Sequence, residues 1–130
     1  MKTSDFLIIG SGIAGLTLAL RLAEHGRVNL VTKRDPSDSN TNKAQGGIAA
    51  VVDPQDSFEL HIEDTIRAGD GLCREAVVQF VVREGPARIR ELIAMGVPFS
   101  RESGRLDLGL EGGHSKNRIV HCSDLTGRAL

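Results

Sequence analysis

Phe6-Leu7-Ile8-Ile9 runs straight into Gly10-Ser11-Gly12-Ile13-Ala14-Gly15, and few folds accept that order. An apolar run that stops in glycines and reopens with helix-compatible residues reads as strand, tight turn and helix N-terminus. Gly10 permits the sharp turn, Gly12 lets backbone approach a pyrophosphate, and Gly15 allows the helix to pack closely on the strand. The helix start also presents free N–H groups and the positive end of its dipole to phosphate. By itself G-x-G-x-x-G is a weak signal, so its surroundings decide.

Those surroundings supply a βαβ unit. Leu16, Leu20 and Ala23 recur at helical spacing, and His25-Gly26 offers a glycine suited to a helix C-terminus. Val28-Asn29-Leu30-Val31-Thr32 then reads as a short buried strand. Strand, turn, helix and strand fit within roughly 30 residues, the length of one βαβ unit. The expected fold class is α/β, a Rossmann-like dinucleotide-binding domain.

Composition excludes other classes. The 130 residues carry a net charge of -1 with both signs interspersed, and they lack Trp and Tyr. Neither a long-range field for nucleic acid nor a base-stacking surface follows from that. Lys2 ahead of the apolar stretch from Phe6 to Leu22 imitates a secretory signal. Asp5 intervenes, however, glycines interrupt the run and no small-residue cleavage site follows. The stretch is also too broken to span a membrane, so a cytoplasmic chain with no membrane or nucleic-acid partner is expected. Cys73 and Cys122 lack C-x-x-C spacing and read as ordinary reduced cysteines, and no metal site is expected.

Further along, Arg34 to Lys43 is polar and reads as a loop. Ala44-Gln45-Gly46-Gly47 leads into the apolar run Ile48–Val52, which Asp53-Pro54 ends. Asp56 with Glu59 resembles a capping box for a helix presenting Phe58, Ile62 and Ile66 on one face, and Gly69-Asp70-Gly71 breaks that helix. Val77, Val78, Val81 and Val82 predict a buried helix face over Arg74–Glu84. Gly85-Pro86 punctuates, Pro86 opening a second helix that buries Ile89, Leu92 and Ile93 and ends at Gly96. Pro98, Phe99 and Gly104 mark irregular structure, Glu111-Gly112-Gly113-His114 a tight loop, and Arg118–His121 a strand returning toward the sheet. One βαβ unit needs further parallel strands to complete a doubly wound sheet, and the rest of the chain does not repeat that unit. The chain is therefore expected to be the N-terminal part of a longer protein.

Both NAD and FAD suit the glycine turn. The acidic side chain that often holds a ribose at the end of the second strand is replaced by Thr32 and Lys33, with Asp35 beyond the strand. Lys33 is a candidate for neutralising phosphate or lying along adenosine, against the alternative of a solvated lysine. Asn40, Thr41, Asn42, Lys43, Ala44 and Gln45 lead into Gly46-Gly47. Together they offer unhindered N–H groups beside small polar side chains, a surface that can follow a diphosphate and a flavin edge. A plain Gly-Gly hairpin turn is the competing reading of the pair.

Taken in order, the Gly10–Leu16 turn, Thr32-Lys33, Ala44–Ala50 and Glu111-Gly112-Gly113-His114-Ser115 resemble the L-aspartate oxidase family. Arg118-Ile119, His121, Asp124 and Thr126-Gly127 extend the likeness. This family belongs with the flavoproteins of succinate dehydrogenase and fumarate reductase, and the likeness covers essentially the whole chain but about a quarter of a typical member. It implies that residues 1–130 are the N-terminal portion of an FAD-binding domain, with the remaining architecture absent from the chain. Covalent relatives attach flavin to a histidine four residues before the alanine of Ala-Gln-Gly-Gly. That place is Asn40 here, so the resemblance implies non-covalent FAD.

The implied activity is oxidation of L-aspartate to iminoaspartate, with oxygen or fumarate as acceptor, the first step of de novo NAD biosynthesis. Quinolinate synthase is the implied recipient of iminoaspartate. Glu111 matches the family glutamate that orients the substrate ammonium, a role suited to a carboxylate. His114 and His121 lack a visible orienting partner, and loop hydrogen bonding and strand packing are their simpler readings. The groups that hold the substrate carboxylates are expected beyond Leu130, so these 130 residues alone are expected to be inactive. A soluble fumarate reductase and a non-catalytic nucleotide-binding module are the alternatives.

Overall fold

In the computed structural model, which describes residues 3–130, the chain opens with β1 (Phe6–Ile9), α1 (Ile13–Leu22) and β2 (Val28–Val31). Lys2, on which the secretory-signal reading leaned, lies outside the described residues. β1 and β2 pair in parallel, Phe6 opposite Val28 through Ile9 opposite Val31, as a crossover helix between neighbouring strands requires. Ile8 packs inward while Ile9 is 82% exposed, and α1 buries none of its residues fully. Gly26 does not cap α1, whose C-cap is Ala23. It is needed instead where the chain passes Asp5: a Cβ there would stand 2.9 Å from Asp5 Oδ2, which accepts from Arg27 N–H at 2.8 Å.

The polar stretch after β2 is not all loop. It winds into a single turn, α2 (Asn40–Lys43), because Ser39 Oγ accepts the Asn42 N–H at 3.1 Å and caps it. β3 (Ile48–Ala49) follows, then α3 (Phe58–Ala68). Ser57 rather than Asp56 caps α3, accepting from Leu60 N–H at 3.2 Å. Asp56 is directed elsewhere in the fold.

α4 (Glu75–Ala94) is one continuous helix of 20 residues, not two. Pro86 lacks the N–H that would reach the Val82 carbonyl, and normally breaks or kinks a helix. Here Val82, Pro86 and Ile89 share one face at i, i+4 and i+7, and all three are buried. Burial of that face outweighs one lost hydrogen bond. Of the four valines expected inside, only Val82 is; Val77 and Val81 are exposed and Val78 half-buried. The helix ends as expected at Gly96, whose φ of +94° lets Gly96 N–H reach Ile93 O and Val97 N–H reach Leu92 O, both at 3.0 Å.

A two-residue turn with positive φ at Ser103 and Gly104 joins β4 (Arg101–Glu102) to β5 (Arg105–Leu106). β6 (Leu108–Gly109) and β7 (Ile119–Val120) complete an antiparallel sheet of order β3-β7-β6, and α5 (Thr126–Ala129) ends the chain. The strand expected to return toward β1 and β2 thus pairs with β3 and β6 instead. The core lies between this second sheet and α4: Ala50, Ile89, Phe99 and Val120 form it, with Val52, Leu92 and Leu108 packed around.

Two substitutions on α4 should move stability in opposite directions. Ile89, 1% exposed, should cost about 2–5 kcal/mol as Ile89→Ala, the range for emptying a core site. A Cβ on Gly85 would meet Ala50 Cβ at an ordinary 3.6 Å, so Gly85→Ala should stabilise by up to about 1 kcal/mol through helix propensity. Denaturant midpoints measure both, and a destabilised Gly85→Ala would refute the packing described for this face.

Candidate functional site

The glycine turn is built as its sequence suggests. Gly10, at φ +108°, turns the chain out of β1 and donates its N–H to Val31 O at 2.8 Å. A Cβ on Gly15 would collide with the Gly10 carbonyl oxygen, so only glycine lets α1 lie this close to the turn. Ala14 belongs to the same first turn of α1, which starts from Gly12, a residue with no side chain to cap it, and holds no acidic residue. Its positive end is left for an anion.

One link was invisible in the sequence. Thr41 Oγ1 accepts the Ile13 N–H at 3.1 Å and so ties α2 to the start of α1. Gly10, Ser11, Gly12, Lys33, Asn40 and Thr41 consequently border one cavity of about 410 Å³ between the turn, the end of β2 and α2. Asp38 also borders it, but Lys43 and Arg34 pair with its carboxylate. Asp35, the other acid near the strand end, accepts the Ser37 N–H at 2.9 Å within its own loop.

The later candidates divide by role. Asn42 donates from its amide to Ser37 O at 2.8 Å and Lys43 holds Asp38, so both side chains shape the loop. Together with Ala44 and Gln45 they border a second cavity of about 460 Å³ that Arg128 also faces. Gly46-Gly47 is not a hairpin turn, because β3 pairs with the distant β7. Gly47 fits tightly against β7, where a Cβ would lie 2.6 Å from Val120 O. Gly46 faces Glu111: a Cβ there would stand 2.9 Å from Glu111 Oε1. Gln45, Gly46, Glu111 and His121 share a third cavity of about 260 Å³. No basic side chain among the described residues pairs with the Glu111 carboxylate. His121 does have a charged neighbour, Asp107 Oδ2 at 3.5 Å from Nε2, a pairing its sequence spacing had hidden.

Beneath the Glu111 loop lies a buried charge cluster that sequence reasoning missed. Arg118, fully buried, donates from Nε and Nη2 to the two oxygens of Asp56, both at 2.8 Å, and from Nη1 to Asp64 Oδ2 at 2.7 Å. Asp64 Oδ2 also accepts the Ser115 N–H and Oγ–H at 2.7 Å each, and Arg67 reaches its other oxygen. Because Arg118 only donates, His114 Nδ1 at 3.2 Å accepts, leaving the ring proton on Nε2. His61 packs edge-to-face on His114, its Nδ1 buried without a hydrogen-bond partner among the described residues. Burial pushes both aspartates up, but hydrogen bonds to the ionised forms win. Asp56 falls below its ordinary value through Arg118 and Ser57, and Asp64 falls far below it through Ser115 and Arg118. His61 is pushed down from 6.5, by burial first and then by the Arg118 charge. A weak signal was present: His61 and Asp64 share a helix face at i, i+3, and a distant arginine allows such a face to be buried.

A glycine turn on a βαβ unit, with a second glycine element set against the Glu111 carboxylate, defines a dinucleotide-binding α/β domain. The chain belongs to the FAD binding domain family, which it matches over residues 5–130. It is 55% identical to the chloroplastic L-aspartate oxidase of Oryza sativa subsp. japonica over 99% of this chain and 20% of that protein. To L-aspartate oxidase 1 of Ralstonia nicotianae it is 48% identical over 97% of this chain and 24% of the relative. Among solved structures, a variant of E. coli quinol fumarate reductase superposes with a TM-score of 0.89 at 36% identity, covering 97% of this chain and 22% of that one. The chain thus spans about a fifth to a quarter of the length of these relatives. Family membership makes FAD the cofactor, and the helix start, with no acidic residue in its first turn, and the glycine-bordered cavity fit its diphosphate. Cys73 and Cys122 are free thiols, and no helix among the described residues is long and apolar enough to cross a membrane.

The cluster predicts a two-limbed pH profile. His61 binds its proton less readily folded than unfolded, so stability should fall as pH drops below about 6.5. Asp56 and Asp64 have folded values below the unfolded carboxylate, about 3.9, so their contribution is complete above that pH and is lost as pH falls through the folded values. Urea midpoints followed by circular dichroism should show both limbs. His61→Gln should flatten the upper one alone; an unchanged upper limb would contradict the assignment.

Proposed function

We propose that the protein containing this chain oxidises L-aspartate to iminoaspartate. FAD is held without a covalent bond, and oxygen or fumarate is the final acceptor. The observation that carries this reading is the Glu111 carboxylate, set against Gly46 and unmatched by any basic side chain among the described residues. A cation belongs there, and an amino acid supplies one in its ammonium group. The identity to named L-aspartate oxidases supports the same substrate. The reaction would be the first step of de novo NAD biosynthesis in the cytoplasm, with quinolinate synthase receiving the iminoaspartate.

The residues divide the work. Val31 O and Thr41 Oγ1 take the Gly10 and Ile13 N–H groups, so the other backbone N–H groups of the Gly10–Gly15 turn would hold diphosphate, with Lys33 adding a positive charge and Asn40 through Gly47 bordering the rest of the cofactor. Bound FAD supplies the two-electron acceptor. Glu111 orients the substrate nitrogen so that Cα presents its hydrogen. Oxidation of the Cα–N unit then removes a hydride from carbon and a proton from nitrogen. Asn40 has no imidazole with which to form a covalent flavin link. After acid precipitation of the full-length protein the yellow colour should therefore stay in the supernatant; flavin fluorescence in the protein pellet would overturn this part.

The close superposition on quinol fumarate reductase keeps one second reading in view, a soluble fumarate reductase. Glu111→Gln separates the two. The variant keeps the shape and removes the charge, so a charge-assisted hydrogen bond of about 1.5–3 kcal/mol is lost, and kcat/KM for L-aspartate should fall about 10- to 150-fold. Fumarate has no amine, and its reduction should suffer far less. Equal losses on both substrates would show that Glu111 does not read the amine.

A further inference from the structure

We propose that Asp64 is a positioning residue for Glu111, acting through Ser115 and Arg118. The proposal rests on the reading of Glu111 just given. The loop that carries Glu111 leaves the sheet after Gly109 and returns at Arg118, whose N–H donates to Gly109 O at 3.1 Å. Little inside the loop holds it. Gly112 and Gly113 lie at its centre, Gly113 at φ +90°, and one turn bond joins His114 N–H to Glu111 O at 3.2 Å. Glycine pairs lose much conformational freedom on ordering, so an external anchor must fix the loop.

Asp64 is that anchor. Its side chain is 3% exposed, and a single oxygen, Oδ2, gathers the Ser115 N–H, the Ser115 hydroxyl and Arg118 Nη1, each at 2.7 Å. The same Arg118 Nη1 approaches His114 Nδ1 at 3.2 Å, so both residues after the glycines are held from below. His114 passes the constraint to Glu111 through its backbone N–H. Arg118 in turn is clamped by Asp56. Helix α3 therefore sets the height of Glu111 over Gly46 from Asp64, a residue that borders none of the three cavities described above.

The test uses the full-length FAD-loaded protein with single and double variants. Asp64→Asn and Ser115→Ala should each lower kcat/KM for L-aspartate about 3- to 30-fold, mainly through KM, the size of coupling within one hydrogen-bonded network. Fumarate reduction should change little, and Ser115→Thr, which keeps the hydroxyl, should restore most of the loss. In the Glu111→Gln background neither variant should reduce L-aspartate turnover further. Hydrogen exchange at residue 115, measured without FAD, should quicken in both single variants. Additive losses, equal damage to fumarate reduction, or unchanged exchange at residue 115 would each overturn the proposal while leaving the role of Glu111 intact. A Glu111→Gln variant without selectivity would instead fail the underlying reading and take this one with it. Should Asp64→Asn not fold, Ser115→Ala and its threonine rescue distinguish the same outcomes.

Discussion

A guanidinium with no solvent around it is costly unless carboxylates meet it in good geometry. Arg118 satisfies that condition with Asp56 in a two-bond fork and Asp64 on its remaining side. Buried ion pairs are weak evidence for stability, since desolvation offsets much of the attraction. Their effect here is on arrangement, because these three charges are satisfied together in one placement of the chain. Asp56 precedes α3, Asp64 lies within it and Arg118 leads into β7, so the cluster fixes the register of α3 against the β3-β7-β6 sheet. Arg83, on α4, reaches back to Glu59 and lies over Phe58, which completes the attachment of the two long helices.

What was legible in the sequence was what is encoded locally. The βαβ unit follows from an apolar run, a glycine turn and helical spacing within a few dozen residues, and Gly96 terminates α4 where a glycine after a periodic run should. Pro86 misled because the rule against internal proline is a local one, while the burial of Val82, Pro86 and Ile89 on one face is tertiary. Gly26 misled for the same reason: its purpose is to let Asp5 approach, and nothing near it in sequence says so. The polar face of α3 carries Asp64, and polarity ordinarily means solvent. Only a partner 54 residues away turns that face inward. Glu111 and Gly46 were each visible as motif residues, but their contact is a fact of folding.

The two parts of the chain are organised by different forces. Around Ile89, Phe99 and Val120 apolar packing between α4 and the antiparallel sheet encloses a core. Among the described residues nothing encloses the β1–β2 pair in this way: Ile9, Leu7 and, on α1, Leu16 and Leu20 are exposed. Backbone hydrogen bonds pair the two strands, and Asp5 joins the start of β1 to the residue before β2.

Residues 40–47 connect these two regimes, and that connection accounts for the shape of the site. At one end Thr41 binds the first N–H of α1, so the short α2 turn is tied to the glycine turn of the βαβ unit. In the middle Ala44 O accepts the Gly127 N–H at 3.0 Å, and any side chain on Gly127 would strike the Thr41 carbonyl, which seats α5 against the same stretch. At the other end Gly46 lies under Glu111, whose loop is anchored by the buried charges. An anion-receptive helix start and a carboxylate with no basic partner among the described residues are thereby held at opposite ends of one short segment. Like-signed ligand groups are not wanted at both ends; a molecule anionic at one and a cation at the other satisfy the electrostatics together. That polarity suits a phosphate-bearing cofactor and, on the proposed reading of Glu111, an ammonium-bearing substrate beside it.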